Sequence, residues 1–371
     1  RPPATSPPDP PPPPIARRAR PDTAPARRPP GPGTGAARAV VAVAPWLRTE
    51  LFAPDVWERL AGAGPFDVVD DPRALGAALD RLGPAARESV DALVISWGTP
   101  PLDADLLDRL PGLRLVAHTG ASVKPFVTPA LWERGVRVTQ AGQAMARPVA
   151  EVSVTFALAL LHQVPAFHNA LHDGVPWADA EAAPPRYEIA GTRVGVVGAS
   201  RTGRAAIAML RALGAEVVVA DPTLSPADGA ALGATLVEPA EQLATSRVTM
   251  LPAPVLPETR ALRGARELAL LPDHAGLVNT ARSWLTDEDA LVQELASGRI
   301  SAALDVYDAE PLPEDHPLRR LRNVLLTPHH AAATVQGRLA QGAIVVDELE
   351  RFRAGEPLVH EVREADLDRM G

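Results

Sequence analysis

From Ala39 onward, short apolar runs of strand length alternate with stretches patterned for helices, and this restricts the chain to an α/β fold whose parallel sheets carry helices on their faces. Two series are legible. The first offers strands at Val40–Ala44, Phe66–Val69, Ala92–Ser96, Leu113–Ala117 and Val136–Thr139. The second follows a long helix expected to start near Val149. It offers Arg193–Val197, Glu216–Ala220, Val248–Leu251, Ala275–Thr280, Ser301–Leu304 and Val324–Thr327, and is the longer and more regular of the two. One helix is well signposted: Thr286 can cap it with Asp289 three residues on, Leu291 and Leu295 share a face, and Gly298 can end it. No internal repeat is evident.

At 371 residues and 46% hydrophobic content the chain has room for two domains with a buried core. A net charge of -8 provides no basic field for a polyanion, so nucleic acid is not an expected partner. The chain has no cysteine, which excludes disulfides, thiolate nucleophiles and cysteine-held zinc and suits a cytoplasmic setting. The longest apolar run, Val152–Leu161, is interrupted by Ser153 and Thr155. It is about half the roughly 20 residues a membrane span needs, and no membrane segment is expected.

Residues 1–38 are dominated by Pro, Ala and Arg and lack apolar residues that would offset the entropy of ordering, so they are expected to be disordered. They hold seven Arg and two Asp, about +5, which leaves the remainder at about -13. Arg17–Arg18 invites an export reading, but no apolar region follows directly and Ala39–Trp46 has the look of a strand.

The run Val194-Gly195-Val196-Val197-Gly198-Ala199-Ser200-Arg201-Thr202-Gly203 predicts a buried strand, a tight turn and the start of a helix. Such a turn aims backbone N–H groups and the positive end of the helix at a pyrophosphate. The pattern is G-x-S-x-x-G, so Ser200 stands where the glycine of closest approach usually sits, and its hydroxyl can contact phosphate. Asp221, 18 residues past Gly203 at the end of the next strand, is placed to accept hydrogen bonds from an adenosine ribose. An acid there repels a 2'-phosphate, which favours NAD over NADP.

Farther on, Arg282, Glu310 and His329 each follow a strand, at the carboxyl edge where open α/β sheets bind ligands. Taken singly, such residues are ordinary surface or structural groups. As an ordered set they fit the oxidation of a 2-hydroxy acid, or the reverse reduction of a 2-keto acid. Arg282 would grip the carboxylate with its planar fork. His329 would take and return the hydroxyl proton, and Glu310 would orient the imidazole and raise its pKa.

These residues resemble the D-isomer-specific 2-hydroxyacid dehydrogenase family from about Leu93 to Val335. The most specific stretches are Pro254–Arg260, Val278–Arg282, Leu304–Pro311 and Leu325–His329. The resemblance implies that Arg282, Glu310 and His329 are the catalytic set and that Asp305 binds the nicotinamide carboxamide. It implies that Gly198, Ser200, Arg201, Thr202, Gly203 and Asp221 meet the dinucleotide, and that Pro254, Thr280 and Ala281 line its cleft. Gly120-Ala121-Ser122-Val123 matches a loop whose N–H groups hold the substrate carboxylate.

The fold implied is α/β with two doubly wound parallel-sheet domains, a Rossmann NAD-binding domain (148–329) inserted into a flavodoxin-like substrate domain (39–147 and 330–371). A homodimer through the cofactor domains is implied as well, consistent with the apolar helix Val149–Leu161 and the arm ending near Gly174–Trp177. Departures from the family pattern fall around substrate and cofactor: Ser200, Lys124 at a usually acidic position, Pro252 for a common His, Met145 for a frequent Asn, and Ser283–Trp284 where Gly usually follows the Arg. The particular acid is therefore not inherited. An NAD(H)-sensing regulator on the same fold is the rival reading, and a methyltransferase would leave Arg282, Glu310 and His329 unexplained.

Overall fold

The structure, a computed structural model, describes residues 37–181, 184–254, 259–260 and 262–370. The expected tail therefore lies outside the described residues except for Ala37 and Arg38, and Arg38 opens the first strand and pairs with Asp67 at 2.6 Å.

Strands β1 (Arg38–Ala42), β2 (Phe66–Val69), β3 (Val90–Ile95), β4 (Leu115–His118) and β5 (Arg137–Gln140) form a parallel sheet. The second, wholly parallel sheet contains β6 (Arg193–Val197), β7 (Glu216–Ala220), β8 (Thr235–Leu236), β9 (Val248–Met250), β10 (Gly276–Asn279), β11 (Ser301–Leu304) and β12 (Val324–Leu326). The chain then returns to the first sheet, where β13 (Glu361–Val362) pairs antiparallel with β5. The orders are β13-β5-β4-β3-β1-β2 and β12-β11-β10-β9-β6-β7-β8. Succession reverses at β1 in one sheet and at β6 in the other, the positions where open α/β sheets bind ligands at their carboxyl edges.

Burial on both faces explains the near-continuous apolar runs. In the first sheet Val40, Leu93, Val116 and Val138 feed one core, while Val41, Val94, Leu115 and Ala117 feed the other. Each fully buried side chain of this size contributes about 1.5–3 kcal/mol of transfer free energy.

Three helices place the site. α1 (Gly142–Leu161) covers β9, β10 and β11 and packs on α2 (Arg201–Ala212), which opens from the glycine turn. α3 (Val335–Ala354) packs on α1 and on β4, tying the two sheets together. Among the described residues α1 is the helix long and apolar enough to cross a membrane by length and composition, but its buried face makes it a core helix of the second sheet.

α1 begins seven residues before the expected Val149 and runs through Pro148. The proline is buried, its ring near Gly337 of α3, so packing of Gly142, Ala146, Pro148 and Ala150 overrides the local rule that a proline marks a helix start. The helix Glu288–Ala296 also starts one residue later than its sequence signals suggest. Asp287, not Thr286, is the cap and accepts from Ala290 N at 2.9 Å, because Thr286 is drawn into a buried backbone bridge with Arg263. Gly298, at φ 77°, lies just past its end as expected.

Candidate active site

The turn between β6 and α2 depends on two glycines. Gly198 has φ 93°, a left-handed value that a side chain disfavours, and a Cβ there would stand 3.0 Å from Ala253 Cα. A Cβ on Gly203 would collide with Gly198 O. The backbone is thus folded as tightly as a pyrophosphate loop requires, with the N-terminus of α2 at its mouth. Ser200 caps α2 by accepting from Gly203 N at 3.2 Å and donates to Pro252 O at 2.7 Å. Its one hydroxyl proton is therefore engaged by the Pro252 carbonyl. Arg201, the first residue of α2, is exposed, and partial desolvation by the protein around it lowers its pKa from the ordinary arginine value.

Asp221 follows β7 as expected. Its Oδ2 accepts from Ala199 N at 2.6 Å, and its Oδ1 accepts from Thr223 N at 2.8 Å and Thr223 Oγ1 at 2.6 Å. Desolvation alone would raise its pKa. The hydrogen bonds from Thr223 and Ala199, with the charge of Arg204, outweigh it and hold the carboxyl below its ordinary range. The group is ionised at neutral pH and braces the glycine turn from the far side.

On the other half of the sheet, Arg282 leaves β10 in extended backbone, and its Nη1 donates to Ala281 O at 2.6 Å. Asn279 holds this corner: its Nδ2 donates to Arg282 O at 2.8 Å and its Oδ1 accepts from Ala281 N at 3.1 Å. Thr280 Oγ1 lies 2.6 Å from Ser153 Oγ on α1. Desolvation lowers the Arg282 pKa and the charge of Glu310 opposes that shift, so the two residues share one field. An arginine in this state remains protonated at neutral pH.

Glu310 and His329 meet, with His329 Nδ1 2.7 Å from Glu310 Oε2. The other carboxylate oxygen accepts from Tyr307 N at 3.1 Å. His329 adopts φ 53°, an uncommon value for a residue with a side chain. The left-handed bend turns the imidazole toward Glu310, and both side chains keep an exposed face.

Asp305, at the end of β11, is buried at 1% exposure. Its Oδ1 accepts from Thr327 Oγ1 at 2.5 Å and His330 N at 2.9 Å, and its Oδ2 accepts from Ala331 N at 2.9 Å. Most of its acceptor capacity is therefore committed to the loop that carries His329.

On the first sheet, Gly120 follows β4 and a Cβ there would come within 2.6 Å of His118 Nε2 and 2.8 Å of Trp97 Cζ2. Ala121 and Ser122 are partly exposed and Val123 is fully buried. His118 is buried against Phe126, and desolvation pushes its pKa down to about 4. Trp97 is 44% exposed, and Arg338 of α3 stands over its ring at 5.1 Å.

Pro254 lies on the loop after β9, next to Ala253, which approaches Gly198, and Ala281 lies on the loop after β10, whereas Val255–Glu258 fall outside the described residues. Asn279, Ser153, Thr327, Tyr307 and His118 are not among the residues the sequence singles out. Asn279, Tyr307 and Thr327 are within reach, since they sit inside the stretches Val278–Arg282, Leu304–Pro311 and Leu325–His329; Ser153 and His118 act through contacts that no local spacing encodes. Trp284, a departure from the family pattern, stacks with Arg260, whose Cζ lies 4.8 Å from the ring centroid.

Two sheets, a glycine turn under a helix N-terminus, and Arg, Glu and His on successive strand ends define a two-domain dinucleotide-binding α/β protein. The model of the D-isomer specific 2-hydroxyacid dehydrogenase NAD binding domain matches residues 154–331. A glyoxylate reductase of Korarchaeum cryptofilum is 30% identical over 72% of this chain and 80% of its own length. A D-3-phosphoglycerate dehydrogenase of Methanocaldococcus jannaschii is 31% identical over 72% of this chain, and the match spans 51% of that protein, about half its length. The crystal structure of a glyoxylate reductase from Paecilomyes thermophila superposes with TM-score 0.74 at 26% identity, covering 89% of this chain and 99% of that one. The chain belongs to the D-isomer specific 2-hydroxyacid dehydrogenase family, and NAD is the cofactor of its second domain.

Proposed function

We propose that the protein interconverts a small 2-keto acid and its 2-hydroxy acid, with His329 as the general acid and base. The observation that carries the reading is the 2.7 Å pairing of His329 with Glu310 in the field of Arg282. When bound, NADH supplies the hydride that C2 accepts during reduction. Arg282 holds the substrate carboxylate or the C2 oxygen, whose developing charge it stabilises. His329 donates its proton to that oxygen, so the carbonyl becomes a hydroxyl; in the oxidative direction it takes the proton back. Glu310 holds the ring in orientation through the 2.7 Å contact with Nδ1.

Gly120–Val123 would add backbone N–H donors to the carboxylate. Ser200, Arg201, Thr202, Asp221, Pro254, Thr280 and Ala281 would hold the dinucleotide, with the tight turn at Gly198 and Gly203 giving its phosphates room. We assign residues 148–329 to the cofactor domain and 39–147 with 330–371 to the substrate domain, a division supported by the return of β13 and α3 to the first sheet.

A homodimer is part of the same proposal. α1 is apolar beyond its buried face, and Val164, Leu171 and Trp177 on the neighbouring helices are 49%, 46% and 70% exposed, a cluster that a second copy would cover. The test of the activity is NADH oxidation with glyoxylate, hydroxypyruvate, pyruvate and bulkier 2-keto acids. Turnover of at least one is expected. Tight NADH binding with every acid inert would favour a redox-sensing regulator instead.

A further inference from the structure

We infer that Asp305 is a positioning residue for His329, a buried anion around which the loop after β12 is folded. It accepts from Thr327 Oγ1 and from the consecutive amides of His330 and Ala331, two residues before and one and two residues after the histidine. Consecutive N–H groups converging on one carboxylate form a backbone nest, and an anion at its centre stabilises the otherwise uncommon bend. The left-handed residue inside this loop is His329.

A second attachment fixes the loop's start. Thr327 N donates to Leu304 O at 3.0 Å, and Thr327 O accepts from the Tyr307 hydroxyl at 2.8 Å. The loop is thus held by β11 and its exit segment, the same segment that presents Glu310. Asp305 and Glu310 divide the work: one sets where the histidine backbone turns, the other receives the imidazole. Three donors at 2.5–2.9 Å on a carboxylate of 1% exposure tie Asp305 to the loop of His329 and leave one acceptor position, on Oδ2.

The kinetic arm of the test rests on the dehydrogenase reading; the spectroscopic arm does not. Thr327→Val keeps side-chain shape and removes one bond of the latch. It is expected to lower kcat about tenfold while the Kd for NADH stays within about twofold, the loss matching one charge-assisted hydrogen bond. Thr327→Ser should restore most of the rate. Asp305→Asn, which keeps the volume but places an amide donor against N–H groups, should lose more. In protein labelled with 15N-histidine, the His329 titration should shift in Thr327→Val relative to the native chain, whether or not any keto acid is turned over. Unchanged kcat, or weakened NADH binding at unchanged kcat, would overturn the inference, as would an unaltered His329 titration. If Thr327→Val does not fold, Asp305→Asn carries the same comparisons.

Discussion

His329 and Glu310 are 19 residues apart and leave two different strands, yet their side chains meet at 2.7 Å. The pairing exists because β11 and β12 are parallel neighbours in register, so whatever follows their carboxyl ends is brought to one edge. Two groups that would be surface residues on their own become an oriented acid–base pair beside Arg282.

Removing the imidazole separates binding from chemistry. His329→Ala should lower turnover by orders of magnitude with little change in NADH affinity, because a general base acts on the chemical step. Glu310→Gln keeps a hydrogen-bond acceptor but removes the charge, and should cost about ten- to a hundredfold. Steady-state kinetics beside fluorescence titration of NADH measures both; comparable losses in binding and turnover would sink the role given to His329.

Asp221 should govern which nicotinamide dinucleotide is taken. Its ionised carboxyl opposes a 2'-phosphate, and Asp221→Ala should relax discrimination against NADPH on the order of tenfold or more. The ratio of kcat/KM for NADH and NADPH reports this directly, and an unchanged ratio would remove Asp221 from the ribose site.

Gly203→Ala tests the turn. Its Cβ would collide with Gly198 O and stand 3.2 Å from Pro252 Cγ, so the loop would have to open. We expect a loss of about 1–3 kcal/mol in stability, seen as a lower Tm, together with weaker NADH binding. Native Tm with native affinity would show that the turn is looser than its geometry indicates.

His118 gives the fold an acid-sensitive point. Burial lowers its pKa to about 4 from 6.5, so the unfolded chain binds a proton that the folded chain refuses between those values. Stability should therefore rise with pH through that window and fall as pH drops from about 6.5 toward 4, by on the order of 1–3 kcal/mol. His118→Phe should flatten the slope of Tm against pH between about 4 and 6.5 even if Tm itself changes. A slope equal to the native one would place the acid sensitivity elsewhere.

Much of this was legible in the sequence because a parallel sheet buries both faces of its strands. Runs such as Val194–Val197 or Leu93–Ile95 have no other ready reading, and their order located Arg282, Glu310 and His329 at one edge. β8 and β13, two residues each, are too short to leave a pattern. Pro148 misled because a local rule met a tertiary contact with α3. The internal hydrogen bonds of Asp305 and Ser200 left no sequence pattern, since the partners Thr327, His330, Ala331 and Pro252 lie 22–52 residues away.

Hydride transfer to C2 with a proton from His329 is tested most directly by reducing a turned-over 2-keto acid with NADH deuterated at C4 of the nicotinamide, followed by mass spectrometry and NMR of the product. One deuterium at C2 of the 2-hydroxy acid is expected from the native protein, and almost no product from His329→Ala. Tight NADH binding without any deuterated hydroxy acid, or undiminished transfer by His329→Ala, would contradict it.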